Sequence, residues 1–311
     1  MTSEPTRSCV VTGATGLLGR AILKRFVEYT PRWEAIGTGF TRASGDIVKL
    51  DLTDPDAVES LLQSTKPAIV VHSAAERRPD VAKERPDQVT LLNVAASEHV
   101  AGVTAALKIP MIYISTDYVF DGQNPPYEPE DKPNPTNFYG SSKLEGENAV
   151  LKKNPDAIVL RVPVLYGDTD DDSESAINCL VDIILNSKKD NVVEMDNWQL
   201  RYPTNTHDVA RVVKDIADLA ISKRTGPSIL HFSADERFTK YEICEIFAEL
   251  LDVPTTYLKR IDNVDDVQRS GTVTRPYDCR LSNKKLVELG IDVSAVEFRE
   301  WWKRRLLPSR R

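Results

Sequence analysis

Through the first half of the chain, short apolar runs alternate with longer segments whose apolar residues recur every three or four positions. The runs are "SCVVT", "WEAIG", "IVKL", "AIVV", "MIYIS" and "AIVLRV". Short and mostly rich in Val and Ile, they read as strands of a sheet. Between them, "GLLGRAILKRFVEY", "PDAVESLLQST" and "PDQVTLLNVAASEHVAGVTAALK" each carry one apolar stripe, as amphipathic helices do. The alternation predicts an α/β architecture, a doubly wound parallel sheet with crossover helices. From about Asp168 the pattern becomes a mixture of helices and isolated strands, which predicts a smaller mixed α/β C-terminal domain. We therefore divide the chain at 1–167 and 168–311, with a crossing back between the two expected. The acidic stretch "GDTDDDSES" at the junction is expected to be a mobile surface loop.

Composition narrows the class without naming a function. With 311 residues, 41% of them hydrophobic and 28% charged, the chain can bury a sizeable core. A formal charge of -7 argues against nucleic acid as the main partner, because phosphate backbones demand a basic face. Cys9, Cys179, Cys244 and Cys279 lie far apart and complete no ligand pattern with the four histidines, so reduced thiols and no metal are expected. The opening "MTSEPTRSC" has an acid and a proline before any apolar run, and no apolar stretch approaches the ~18 residues of a membrane span. The expectation is a cytoplasmic protein without a membrane partner.

"VVTGATGLLG" sets Gly13, Gly16 and Gly19 between the first strand and the first helix. Small residues there permit a tight turn, a close approach of backbone to a pyrophosphate and the packing of helix on sheet, while helix amides face the phosphates. A ligand-free turn is the plainer alternative. The first domain is thus expected to be a Rossmann domain for a dinucleotide. An acid that would bind the ribose hydroxyls of NAD is missing after the second strand, where "GTGFTR" offers Arg42 for a 2′-phosphate. NADP is the expected cofactor, the alternative being that Arg42 is an ordinary surface arginine. Asp51 and Leu52, ending the third strand, fall where an adenine would lie, and the small residues of "HSAAE" would let backbone approach a cofactor.

"NFYGSSKLEG" sets Tyr139 and Lys143 one helical turn apart on one face. An ammonium there would lower the phenol pKa and make Tyr139 a better proton donor to a carbonyl receiving hydride. The spacing alone is weak. It gains weight from "YISTDYVFDG", which ends the fifth strand on Ser115 and Thr116, at the edge where ligands bind in such sheets. Thr116 (or Ser115), Tyr139 and Lys143 together resemble the catalytic set of the short-chain dehydrogenase/reductase superfamily. "STDYVFDG" followed by "YGSSKLEGE" is similar to its dTDP-4-dehydrorhamnose reductase branch.

Within that branch, "HSAAERRPDV", "YVFDGQNPPY", "DNWQLRYPT", "FTKYE" and "LVELGI" resemble the regulatory beta subunit family of methionine adenosyltransferase over nearly the whole chain. The resemblance implies NADP contacts at Thr15, Gly16, Leu17 and Leu18, with Phe40, Thr41 and Arg42 around the 2′-phosphate. It further implies Asp51 and Leu52 at the adenine, and Ser73, Arg77, Tyr139 and Leu165 along the remainder, with Gly13, Gly19 and Lys143 added by the motif reading. Ser73 stands where the family has cysteine and Thr41 where it has a second arginine, which leaves Arg42 as the lone guanidinium.

Two functions follow from the resemblance. One is an NADP(H)-binding regulator that associates with a methionine adenosyltransferase catalytic subunit and modulates S-adenosylmethionine synthesis. The other is an NADPH-dependent reductase of a nucleotide-linked 4-keto deoxysugar, with Tyr139 as proton donor, Thr116 orienting the oxygen and Lys143 holding the ribose. Arg201 and Trp198 of "DNWQLRYPT" could meet a substrate diphosphate or base. The family's C-terminal extension, which enters the catalytic partner, is shorter here and ends in "EFREWWKRRLLPSRR". That tail is either a docking element or a last helix packing Trp301 on the core with solvated basic residues beyond.

Overall fold

A computed structural model describes residues 7–28, 33–188, 190–223, 229–263, 265 and 273–307. Its centre is a seven-stranded, wholly parallel sheet of order β10-β6-β5-β4-β1-β2-β3. The strands are β1 (Arg7–Thr12), β2 (Trp33–Gly39), β3 (Val48–Lys49), β4 (Ile69–His72), β5 (Met111–Thr116), β6 (Ile158–Val162) and β10 (Ile229–His231). The first six lie within or beside the six apolar runs of the sequence. Strands β4, β5 and β6 are buried at every position, which is why they carry unbroken apolar runs instead of alternation.

Helices cover both faces. On one face, α1 (Leu17–Glu28) packs against α8 (Thr206–Lys223), and Ile22, Phe26, Val209, Val213 and Ile216 meet the sheet. On the other, Val58 and Leu62 of α2 (Pro55–Thr65), Val100 and Val103 of α5 (Ala96–Leu107) and Val150 of α6 (Phe138–Lys153) close a second core. Local chemistry starts these helices. The Asp54 carboxylate accepts from the Asp56 and Ala57 amides ahead of α2, with Pro55 in its first turn, and Asn137 Oδ1 accepts from the Gly140 amide at 2.9 Å to begin α6.

The long segment 86–108 is helical but not one regular helix. Short α3 (Pro79–Glu84) and α4 (Pro86–Thr90) precede a π-turn at Leu91–Ala95, and only then does α5 begin. The turn directs Asn93 inward, where its side chain pairs with the Glu76 backbone at 2.9 and 3.1 Å and donates to Ser142 Oγ at 3.1 Å.

The C-terminal part adds β7 (Leu165–Tyr166) paired with β9 (Thr204–Asn205), and β8 (Val193–Asp196) paired with β11 (Leu258–Ile261). Its core gathers α7 (Leu180–Asn186), α9 (Lys240–Leu251) and α11 (Phe298–Leu306) around Tyr166, Phe247 and Trp302, and α10 (Lys284–Glu288) seats Leu286 on the main core. A capping box between Thr239 and Glu242 begins α9. β10 returns from this part to the main sheet and pairs with β6. No helix among the described residues is long and apolar enough to cross a membrane.

The acidic junction is not the free loop expected. It forms a 3-10 turn at Asp172–Glu174, and Asp172 receives hydrogen bonds from Thr169, Asn178 and Arg305 at 2.7, 3.2 and 2.6 Å. Ser175 Oγ ties it to the Leu165 carbonyl at 2.7 Å. Pairing with guanidiniums holds in place what like-charge repulsion alone would extend. The tail is a last helix, as the plainer reading has it, but the residue driven into the core is Trp302, fully buried, while Trp301 packs at its edge. Residues 308–311 of the basic tail lie outside the described residues.

Candidate functional site

Because the main sheet is parallel, each of its strands delivers its carboxyl end to one edge, and most of the candidate residues collect there. Gly13 follows β1 with φ +68, a conformation glycine adopts without strain, and a Cβ on it would lie 2.7 Å from Ala74 Cα. A Cβ on Gly19 would lie 2.1 Å from the Gly13 carbonyl oxygen, so α1 can approach the turn only without one. The Gly16 amide donates to the Gly13 carbonyl at 2.9 Å, which closes the turn. Thr15 lies in the turn, and Leu17 and Leu18 then begin α1, whose first-turn amides point out of the helix end. This cradle has the shape and donors for a pyrophosphate.

At the end of β2, Phe40 is half exposed with Lys49 Nζ 5.9 Å from its ring centroid, and Thr41 and Arg42 are exposed. Arg42 is not the lone guanidinium expected. Arg20, on the first turns of α1, lines the same groove of about 430 Å³ with Thr15, Arg42, Ser44 and Asp170. Both arginines donate to one carboxylate, Glu174, and Arg20 also reaches the Thr15 carbonyl at 2.7 Å and Asp170 at 3.2 Å. Burial pushes the Glu174 carboxyl up, but hydrogen bonds and charge from Arg20 and Arg42 outweigh it and hold the group below its usual range. Arg20 and Glu174 were missed in the sequence. Arg20 is one helical turn beyond Gly16, a legible signal, whereas Glu174 comes from 154 residues further on and carries none.

Around the rest of the edge, Asp51 Oδ1 accepts from Thr53 at 2.9 and 2.7 Å, and Leu52 is buried beneath. Ser73 donates to the Thr12 carbonyl at 2.7 Å, which turns its hydroxyl toward β1 and leaves backbone facing the crevice. Arg77 lies within electrostatic reach of Tyr139 and Glu174. Leu165 borders the acidic turn through its carbonyl.

The three catalytic candidates are only partly brought together. Thr116, buried at the end of β5, donates to Asp117 Oδ1 at 3.0 Å and accepts from the Tyr118 amide at 3.2 Å, with the Tyr139 phenol close enough to feel its hydroxyl. The Lys143 ammonium is instead turned behind the strand, donating to Tyr113 Oη at 2.7 Å and the Ile114 carbonyl at 2.8 Å, 4.0 Å from the Tyr113 ring centroid. The fold makes space for this: a Cβ on Gly146 would fall 2.4 Å from Tyr113 Oη. The expected lowering of the phenol pKa is therefore overturned. Burial pushes Tyr139 well above the ordinary tyrosine range, and the Thr116 hydroxyl only partly opposes it. Burial likewise pushes the Lys143 ammonium down to about 7, against the charge of Glu147. Behind Lys143, Thr12, His72 and Ser97 continue a buried chain at 2.7 and 3.0 Å. The Ser115 hydroxyl, buried beside Thr116, has no partner among the described residues.

Arg201 does not reach into an open cleft. Its side chain, 9% exposed, is committed to Asp196 at 2.8 Å and to Gln199 at 2.7 and 2.8 Å, while Trp198 packs on Tyr277 with centroids 4.7 Å apart. Tyr118 contacts Tyr139 edge to face at 6.2 Å.

Asp117 gives a pH signature. Burial pushes its carboxyl up to about 7, with hydrogen bonds from Thr116 and the Tyr118 amide opposing. Since the folded-state pKa lies above the unfolded 3.8, the stability this group contributes is full below the unfolded value and is lost progressively as pH rises from there through about 7. Asp117→Asn removes the titration, so the variant should gain on wild type between pH 5 and pH 8.5, by at most about 3 kcal/mol. Equal stability differences at the two pH values in denaturant melts would refute this.

Comparison with known proteins agrees with the geometry. The family model described as RmlD substrate binding domain matches residues 7–306. Methionine adenosyltransferase 2 subunit beta of Xenopus tropicalis is 43% identical over 92% of this chain and 84% of its own. A dTDP-4-dehydrorhamnose reductase of Aggregatibacter actinomycetemcomitans is 28% identical over 86% and 85%. Among solved structures, a dTDP-4-dehydrorhamnose reductase of Clostridium acetobutylicum superposes with TM-score 0.81 at 27% identity, covering 96% of this chain and 98% of that one. The Bacillus anthracis reductase in complex with NADP shares the fold with TM-score 0.80, at 20% identity over 97% and 98%. The chain belongs to the RmlD substrate binding domain family and, within it, to the group of methionine adenosyltransferase 2 subunit beta.

Proposed function

We propose that this protein is an NADP(H)-binding regulatory subunit that associates in the cytosol with a methionine adenosyltransferase catalytic chain and modulates S-adenosylmethionine synthesis. In this reading the pyrophosphate lies on Gly13, Thr15, Gly16 and the first amides of α1, the adenine beside Asp51 and Leu52, and the 2′-phosphate beside Arg42 and Arg20. Ser73, Arg77, Tyr139 and Leu165 border the nicotinamide half, and the 168–311 part faces the partner. The observation that carries the regulatory reading over a catalytic one is the position of Lys143: the ammonium that would activate Tyr139 is bound to Tyr113 and the Ile114 carbonyl. Similarity to subunit beta over 92% of the chain supports the same choice.

The test is copurification with a methionine adenosyltransferase catalytic subunit, followed by S-adenosylmethionine synthesis with and without this chain. A complex that forms at micromolar concentration and changes the rate is expected, and absence of any complex would reject the reading.

A second reading, reduction of a nucleotide-linked 4-keto deoxysugar, is favoured by the placement of the Thr116 hydroxyl, at the carboxyl end of β5, beside the Tyr139 phenol. A bound reduced nicotinamide would supply hydride, Tyr139 would give its phenolic proton to the carbonyl oxygen, and Thr116 would orient that oxygen. NADPH oxidation with a dTDP-4-dehydro-6-deoxysugar, in wild type and in Tyr139→Phe, separates the two. The regulatory reading expects no consumption by either protein. Turnover by wild type that falls about 100-fold or more in the variant would establish the reductase.

A further inference from the structure

The acidic turn meets the arginine groove through two carboxylates, Asp170, which reaches Arg20 at 3.2 Å, and Glu174, which alone engages both arginines. Glu174, only 12% exposed on its side chain, accepts from Arg20, at 3.2 Å for one of the bonds, and from Arg42. These are the two guanidiniums that line the groove at the end of β2. Nothing in the local chain demands that Glu174 sit there: its neighbours Asp171 and Ser173 satisfy each other at 2.8 Å, and Asp172 is held from the far side by Arg305 and Asn178. A carboxylate offers two acceptor oxygens and one charge, whereas a phosphate monoester offers three oxygens and nearly two charges, in a geometry the same forks accept. Carboxylate and phosphate cannot hold the same N–H groups at once.

We infer that Glu174 is an internal rival of the 2′-phosphate, a specificity-determining residue that sets how strongly this protein prefers NADP(H) over NAD(H). This rests on the cofactor reading above and adds to it. NAD(H) has no group that reaches the arginine pair, so it binds with Glu174 in place. NADP(H) must displace Glu174, and its affinity is the difference between two charge-assisted contacts. Displacement removes the contact that ties the acidic turn to both arginines and leaves it held by Asp170 on Arg20 and Asp172 on Arg305, so occupancy by NADP(H) is felt along the turn to the C-terminal helix and occupancy by NAD(H) is not.

The experiment is calorimetric titration of wild type and Glu174→Gln with NADPH and with NADH, with Asp171→Asn as a control that removes a charge from the same loop without touching either arginine. The amide keeps the side-chain volume but surrenders the charge. Glu174→Gln should bind NADPH about tenfold more tightly and NADH within about twofold of wild type, the size expected for one charge-assisted contact. Asp171→Asn should resemble wild type. Amide exchange over residues 168–176 should rise with NADPH and not with NADH in wild type. Unchanged or weaker NADPH binding by Glu174→Gln, an equal gain for NADH, or an equal gain in Asp171→Asn would overturn the inference while leaving the cofactor reading intact. If wild type and variant bind neither nucleotide, the cofactor reading fails and the inference with it.

Discussion

Replacing Arg161 with methionine should cost this protein about 3–5 kcal/mol of unfolding free energy, because it leaves a charge stranded in the interior. Arg161 on β6 is 1% exposed and its partner Glu147 on α6 is 2% exposed. Two parallel bonds join them, at 2.9 Å from Nε and 2.7 Å from a terminal nitrogen. A third nitrogen faces His231 Nε2 at 3.3 Å, and the guanidinium lies 5.1 Å from the Phe120 ring centroid. Burial and the charge of Arg161 push His231 down to about 3, so its ring is neutral at physiological pH and can accept. With Arg161 gone, the Glu147 carboxylate has neither its ion partner nor water. Removing both charges together, in an Arg161→Met, Glu147→Leu double variant, should restore most of the loss, since a well-packed apolar pair avoids the desolvation cost entirely. Urea unfolding followed by far-ultraviolet circular dichroism measures both, with an unchanged slope certifying that the shift is stability. A single variant within about 1 kcal/mol of wild type would contradict the buried-charge account. Glu147 also supports Lys143 one turn away on α6, so the pair links the fold's interior to the candidate site.

Trp302→Ala should be comparably damaging, at about 3–5 kcal/mol for a fully buried indole. The ring is enclosed by Phe247 at 4.4 Å, Trp301 at 5.0 Å, Tyr166 at 6.0 Å and Phe298 at 6.1 Å between centroids. Its indole N–H has no acceptor among the described residues, so Trp302→Phe loses volume but strands no polar group and should cost under half as much. Thermal melts of the two variants decide between a core helix and a docking tail. If Trp302→Ala melted like wild type while losing a catalytic-subunit partner, the terminal helix would be an interaction element after all. A core role has a further consequence: Arg305 at the end of the same helix grips Asp172 at 2.6 Å, so loosening α11 should also loosen the acidic turn against Arg20 and Arg42.

Strand placement was legible because β1 to β6 are apolar runs flanked by turn chemistry, and each falls within or beside the run that suggests it. The glycine turn after β1 was legible for a similar reason: Gly13, Gly16, Gly19 and the helix that follows are contiguous, so their geometry is a local property. Even Arg20 could have been found, one turn beyond Gly16. The π-turn at Leu91–Ala95 was not, since its apolar periodicity is that of an ordinary helix. The inward Asn93 is explained only by Glu76 and Ser142, which arrive from other elements.

The amino-acid order by itself determined the parallel sheet, the glycine cradle at its carboxyl edge, and the family, because each rests on contiguous residues or on their matching order. Tertiary structure alone decided where charges point. Lys143 and Tyr139 share a helix face in any helical reading, yet the ammonium goes to Tyr113, because a long flexible side chain follows the nearest buried acceptors and those belong to β5. Glu174 reaches Arg20 and Arg42, and Arg305 reaches Asp172, across more than a hundred residues of chain. Electrostatic pairing depends on distance in space, and periodicity along a sequence carries no record of it.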